Sequence, residues 1–216
     1  MSAPILAAEN VSMAFGRFLA LRQLSVSFER NTLTAIIGPN GAGKSTFFNA
    51  ISGALPPSSG RVIYEGRDIT GSPQHEFARM GIAKSFQITN VFPQLTAHEN
   101  VRVAVQMRRA RFDIFTPRDS LRDLVERADR LLATVGLAEA RNRPAADLAH
   151  GQQRGLEIAL ALACEPKLLL LDEPTAGMSP EETVGMMDLI VKLAGERTVI
   201  LVEHKMKLVM GICQRV

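Results

Sequence analysis

Between Thr32 and Thr46 an almost unbroken apolar run, TLTAIIG (32–38), meets the turn GPNGAGKST (38–46), and a helix is expected to start near Lys44. Gly-x4-Gly-Lys-Ser with a strand before it and a helix after it is the pattern of a phosphate-binding loop. The glycine-rich turn lets backbone N–H groups converge on phosphate oxygens at a helix N-terminus. Lys44 would add a point charge to the β and γ phosphates, and the Ser45 hydroxyl would bind Mg²⁺. Gly38, Pro39, Asn40, Gly41, Ala42, Gly43, Lys44, Ser45 and Thr46 are therefore the expected nucleotide-binding residues. A buried strand feeding such a turn implies an α/β fold.

The remaining chain has the same texture with one interruption. LSVSFER (24–30) alternates, putting Leu24, Val26 and Phe28 on one face of a half-buried strand. RVIYEG (61–66) follows the PPSSG turn as another strand. From Thr96 to Leu148 the pattern becomes amphipathic helix. Leu121, Leu124, Val125, Ala128, Leu131, Leu132 and Val135 share a stripe there; Ser120 with Asp123 resembles a capping box, and Gly136 marks a stop. After Gly151 helix and buried strand alternate again: helix to Ala163, strand 168–172, helix 180–194, strand 198–202 and a helix from about 205. The expectation is a single domain, 1–216, with its core and β subdomain at about 1–95 and 160–216 and a helical subdomain at about 96–159.

KLLLLDEP (167–174) is an apolar strand ending in two carboxylates, and ligands of open α/β sheets lie at such strand ends. Asp172 would hold Mg²⁺, and Glu173 would orient or deprotonate an attacking water. Composition removes other classes. Twenty-five basic against 22 acidic residues give +3, too small a surplus for nucleic acid to be the expected partner. Cys164 and Cys213 lack metal-ligand spacing and fit a reducing compartment. No apolar run approaches the roughly 18 residues of a bilayer span, and the N-terminus lacks the features of a signal peptide.

One stretch is left unexplained by these elements: the turn LAHGQQR (148–154), which opens a helix of buried character. The order of phosphate loop, Gln87 in AKSFQ, helical insertion, LAHGQQR, LLLLDEP, AGMS and His204 in LVEH resembles the ATP-binding cassette (ABC) ATPases over essentially the whole chain. The resemblance implies a P-loop NTPase fold with a RecA-like parallel core, an N-terminal antiparallel β subdomain and an α-helical insertion. It implies that Phe15 stacks on adenine, the alternative being a packed core ring. Gln87 would sense Mg²⁺ and the attacking water at the hinge to the insertion, and His204 would contact the γ-phosphate. Leu148, Ala149, His150, Gly151 and Gln152 would bind the γ-phosphate of an ATP held by a second cassette, so one chain supplies half of each of two sites. His75 and His98 carry no such implication.

Two departures stand out. Ala149 and His150 replace a serine and a glycine of the usual LSGGQ, and Ser179 replaces a frequent aspartate. With GQQRGLEIALALA, AGMSPEE, GIAKSFQITNVFPQLTAHENV and VEHKMKLVMGICQRV, these features resemble the subgroup that powers uptake of branched-chain and other hydrophobic amino acids. That likeness implies a cytoplasmic ATPase using ATP and Mg²⁺, peripheral on the membrane through permease subunits. Its partners would be a second cassette, identical or related, and indirectly a substrate-binding protein. Members of the family continue past the position of Val216, so the sequence reads as cut short. Two rivals remain: an ABC-type switch that remodels nucleic acid or ribosomes, and an ATP-binding partner that does not hydrolyse.

Overall fold

The strands Leu168–Asp172 and Thr198–Val202 are buried at every residue, the pattern of parallel strands covered on both faces. The computed structural model describes residues 3–85, 91–107, 119–204 and positions 209, 211 and 213, with backbone alone at 119–121. In chain order the elements are β1 (Leu6–Phe15), β2 (Phe18–Phe28), β3 (Leu33–Ile36), α1 (Lys44–Ile51), β4 (Ser59–Tyr64), β5 (Arg67–Asp68), α2 (Gln74–Met80) and β6 (Ile82–Lys84). There follow α3 (Ala97–Met107), α4 (Asp119–Thr134), a 3-10 turn (Ala145–Asp147), α5 (His150–Leu162), β7 (Leu168–Asp172), α6 (Pro180–Ala194) and β8 (Thr198–Val202). Gln87, the Ser120 side chain and the start of the helix expected from about 205 lie outside the described residues.

Two compact units divide the chain. The first takes Met1–Lys84, Pro166–Pro174 and Ile190–Val216; the second takes Ser85–Glu165 and Thr175–Leu189.

The first unit contains two four-stranded sheets, ordered β2-β1-β4-β5 and β3-β8-β7-β6. The named pairings are antiparallel in the former and parallel in the latter. β1 and α2 are elements that sequence periodicity did not announce. β1 carries register shifts between Ala8 and Ala14, which break the two-residue alternation that would have marked it. One apolar cluster of this unit joins Phe47, Phe48 and Ile51 of α1 with Leu168 and Leu170 of β7, Ile200 and Val202 of β8, and Ile5, Leu6 and Val11 near the N-terminus. Each fully buried side chain of this size contributes about 1.5–3 kcal/mol, so the helix after the phosphate loop is anchored by its own apolar face.

In the second unit Val101 and Val105 of α3, Leu124, Ala128 and Leu132 of α4, and Leu156 and Ala159 of α5 form a separate core. Leu124, Ala128 and Leu132 of the α4 stripe thus face inward with Leu131 and Val135 packed against them, the Leu121 side chain lies outside the described residues, and Gly136 follows the helix with φ 73°. Thr96 and Glu99 close a capping box at α3: the Thr96 N–H donates to Glu99 Oε2 at 2.9 Å and the Glu99 N–H to Thr96 Oγ1 at 3.1 Å.

Glu65, in the β4–β5 turn, accepts from Arg30 Nη1 at 2.7 Å and from Lys167 Nζ at 3.0 Å, joining the end of β2 to the chain entering β7. These cations hold its carboxyl below the usual carboxylate range. A depressed folded pKa stabilises the fold above the unfolded value, about 4.3, and the contribution is lost as pH falls through the folded value. Glu65→Gln is therefore expected to be less stable than the unsubstituted chain near neutrality and equal to it at strongly acid pH. Urea midpoints measured across that range check the convergence.

Candidate functional site

Because β3, β8, β7 and β6 run parallel, their C-terminal ends collect on one edge of the sheet. Ile36 and Asp172 both pair with Val202, and Lys84 pairs with Leu170. The turn at 38–43 follows β3, Asp172 ends β7 with Glu173 next, and Glu203 and His204 follow β8. Candidate catalytic groups far apart in sequence are brought to one sheet edge by this register.

The phosphate-loop residues adopt the expected strand, turn and helix. Gly43, with φ 85°, precedes α1; a Cβ there would lie 2.9 Å from Leu21 Cδ2 and 3.0 Å from the Ala20 carbonyl. Only glycine fits both the backbone and the space. Its carbonyl accepts from the Phe47 N–H at 2.8 Å, so the helix begins directly off the loop. Lys44 is buried, and its Nζ donates to the carbonyls of Gly38 and Pro39, both at 2.8 Å. Both partners are neutral oxygens, which orient the charge without neutralising it. Ser45 is exposed.

Asp172 is buried, and its Oδ1 has no hydrogen-bond partner among the described residues. Burial pushes its carboxyl above the usual range, and the Lys84 ammonium pulls it partly back. Lys84 is a residue that sequence reasoning missed. Its Nζ donates to Asn49 Oδ1 at 2.8 Å and lies 5.0 Å from the Phe48 ring centroid, tying the end of β6 to α1. Burial lowers its own pKa, against the attraction of Asp172. A lysine ending the apolar strand GIAK was the only sequence signal of this role. A buried carboxylate with one unpartnered oxygen, on the sheet edge from which the loop before Ser45 also leaves, offers a hard oxygen donor of the kind magnesium takes together with phosphates.

Glu173 has φ 48°, a left-handed conformation that costs a non-glycine residue about 1–3 kcal/mol. Its N–H donates to the Val202 carbonyl at 3.0 Å, and its Oε1 is in close contact with His204 Nε2. The His204 N–H donates to Glu203 Oε2 at 3.2 Å. A carboxylate and an imidazole are thus paired at adjacent strand ends. Phe15 closes β1 opposite Phe18 across a two-residue hairpin and is 50% exposed, which rules out the packed-core alternative.

The signature turn lies in the second unit. Ala149 is the N-cap of α5, and its methyl group can accept no hydrogen bond, so only the Gln152 half of a capping box is made: the Ala149 N–H donates to Gln152 Oε1 at 3.1 Å. Two contacts come from the segment after Glu173. His150 Nε2 is 3.0 Å from the Ala176 carbonyl, and the Gly151 N–H donates to Glu182 Oε1 at 3.3 Å. Leu148 is buried beneath the turn.

The raised pKa of Asp172 means that its charge opposes folding at neutral pH. In magnesium-free buffer at pH 7, Asp172→Asn is expected to raise Tm by about 2–4 °C, equivalent to about 1 kcal/mol for a chain of this size. Differential scanning calorimetry checks the sign; a lower Tm would mean that Lys84 already compensates the charge.

The family model described as ABC transporter matches residues 21–176. The high-affinity branched-chain amino acid transport ATP-binding protein BraF of Pseudomonas aeruginosa is 42% identical over 225 residues, covering 100% of this chain and 88% of that protein. Among solved structures, the ADP conformation of an ATP-binding cassette of an ABC transporter has a TM-score of 0.85 and 32% identity, covering 98% of this chain and 85% of that one. A dimeric post-hydrolysis state of an ATP-binding cassette, bound to ADP and phosphate, has a TM-score of 0.77 and 28% identity, covering 94% and 89%. A shared family model, a relative matched over the whole of this chain and a common fold agree with the edge geometry described above, and this chain belongs to the ABC transporter family.

Proposed function

We propose that this chain is the ATP-hydrolysing subunit of an importer for branched-chain or other hydrophobic amino acids. The observation that carries the reading is the pairing of Glu173 with His204 on the sheet edge that also bears Lys44 and Asp172. The relatives' role in branched-chain amino acid transport supplies the substrate class.

In this reading the amides of Gly38–Gly43 and the N-terminus of α1 cradle the phosphates of ATP, and Phe15 packs on the adenine. Lys44 exchanges its two carbonyl partners for phosphate oxygens, a stronger charge-assisted contact. Ser45, Asp172 and Gln87 would hold Mg²⁺, which when bound neutralises charge on the phosphoryl oxygens. Glu173 orients the attacking water and accepts its proton, while His204 fixes the carboxylate and donates toward the γ-phosphate. Leu148, Ala149, His150, Gly151 and Gln152 serve the nucleotide of a second cassette.

No helix among the described residues is long and apolar enough to cross a membrane, so in this reading the amino acid passes through separate permease subunits to which the chain docks. The absent hydroxyl at Ala149 favours one second reading, an ATP-binding partner that does not turn over.

Two measurements separate the readings. Glu173→Gln is expected to shift from monomer to dimer on addition of Mg·ATP, read by light scattering. The unsubstituted chain is expected to show an ATPase rate that rises faster than linearly with protein concentration and falls about 10²–10⁴-fold on Glu173→Gln. A chain that dimerises on ATP yet shows no turnover is the non-hydrolysing partner; one that binds ATP without dimerising refutes self-completion of the site.

A further inference from the structure

The first-turn N–H groups of a helix have no partner within it, and the N-cap side chain usually supplies one. Ala149 has no oxygen to offer. At α5 the Gly151 N–H is satisfied instead by Glu182, 31 residues further along the chain, whose Oε1 lies 3.3 Å away. The fit is close: a Cβ on Gly151 would lie 2.7 Å from that oxygen.

Glu182 is not free to wander to this position. Its Oε2 accepts from the Ser179 N–H at 3.0 Å, and its own N–H donates to Ser179 Oγ at 3.2 Å, a complete capping box at the start of α6. The two carboxylate oxygens are divided between two helix N-termini, each of which favours negative charge. His150 fastens the same segment from the other side through the Ala176 carbonyl.

We propose that Glu182 is a specificity-determining residue of the signature turn. Its carboxylate holds the Gly151 amide until the terminal phosphate of a partner-bound nucleoside triphosphate replaces it, and a diphosphate, lacking that group, leaves the turn closed on itself. The inference rests on the head-to-tail reading above. Physically, one amide cannot serve two anions, and two anions crowded at one helix N-terminus repel. A phosphate carries more charge and more acceptor oxygens than a carboxylate, so it displaces Glu182 at a cost that weaker ligands do not meet. The serine usual at position 149 would offer Gly151 a local, neutral acceptor; its replacement by alanine and the carboxylate at 182 are two sides of one arrangement.

The test uses the Glu173→Gln chain, with the dimer fraction followed by light scattering as Mg·ATP and Mg·ADP are titrated. Glu182→Gln keeps the capping box, which accepts Gln at this position, but removes the charge. Glu182→Asp keeps the charge near α6 but shortens the reach to Gly151. Each is expected to lower the ATP concentration at half-dimerisation by about tenfold, the worth of one charge-assisted hydrogen bond, and to narrow the preference for ATP over ADP. An unchanged or raised midpoint in both overturns the role of Glu182 while leaving the head-to-tail reading intact. A shift with Gln alone also overturns it, because charge and not the contact would then be responsible. A parent chain that stays monomeric at saturating Mg·ATP overturns the head-to-tail reading, and the inference with it. Should the variants fail to fold, amide hydrogen exchange of the unsubstituted monomer decides. The Gly151 N–H is expected to exchange more slowly than that of His150, and equal rates refute the contact.

Discussion

The parallel pairing of β3, β8, β7 and β6 is the constraint on which the site depends. Val202 is the common reference: Ile36 lies beside it on one side and Asp172 on the other. A slip of one residue in either pairing would turn the candidate catalytic side chains to the opposite face, since successive residues of a strand alternate. The slip is opposed by burial, because β7 and β8 are covered on both faces and Leu168, Leu170, Ile200 and Val202 pack in one cluster with Phe47, Phe48 and Ile51 of α1. The apolar core therefore sets the position of the polar edge.

At that edge the charges are arranged for a ligand more than for stability of the bare chain. Asp172 is buried with one oxygen unpartnered, Lys84 is drawn into the interior beside it, and Glu173 holds a strained backbone. Each of these would be relieved in a chain selected for stability alone. The half-buried Lys84 has its own supports in Asn49 and the Phe48 ring, both on the helix that begins at the phosphate loop. One helix thus carries the loop proposed to hold phosphate at its N-terminus and the side chains that hold Lys84.

The signature turn is governed by a different economy of hydrogen bonds. Its helix lacks an N-cap oxygen, and the missing acceptor is provided by Glu182 from the start of α6, while His150 reaches the carbonyl of Ala176. The two departures from the usual signature wording are consistent with one another in space. Alanine removes a local acceptor, and histidine adds a contact to the loop that follows β7.

Much was legible from residue order, because the features concerned are local. The phosphate loop, the buried strands 168–172 and 198–202, the α4 stripe and the stop at Gly136 each depend on neighbours a few positions apart, and periodicity or turn chemistry records such dependence directly. β1 escaped notice because register shifts scramble its alternation, and α2 because seven residues are too few to establish a helical period. Lys84, Asn49 and Glu182 were invisible for another reason: each acts on a partner 31 or 35 residues away, and no local pattern encodes such a distance. The sequence by itself determined the kinds of groups available and the elements that carry them, since helices, strands and turns follow from short-range sterics and hydrogen bonding. Only the tertiary structure decided that Glu173 meets His204, that Lys84 bonds Asn49 and that Glu182 caps Gly151, because sheet register and burial select which distant side chains come within a few ångströms.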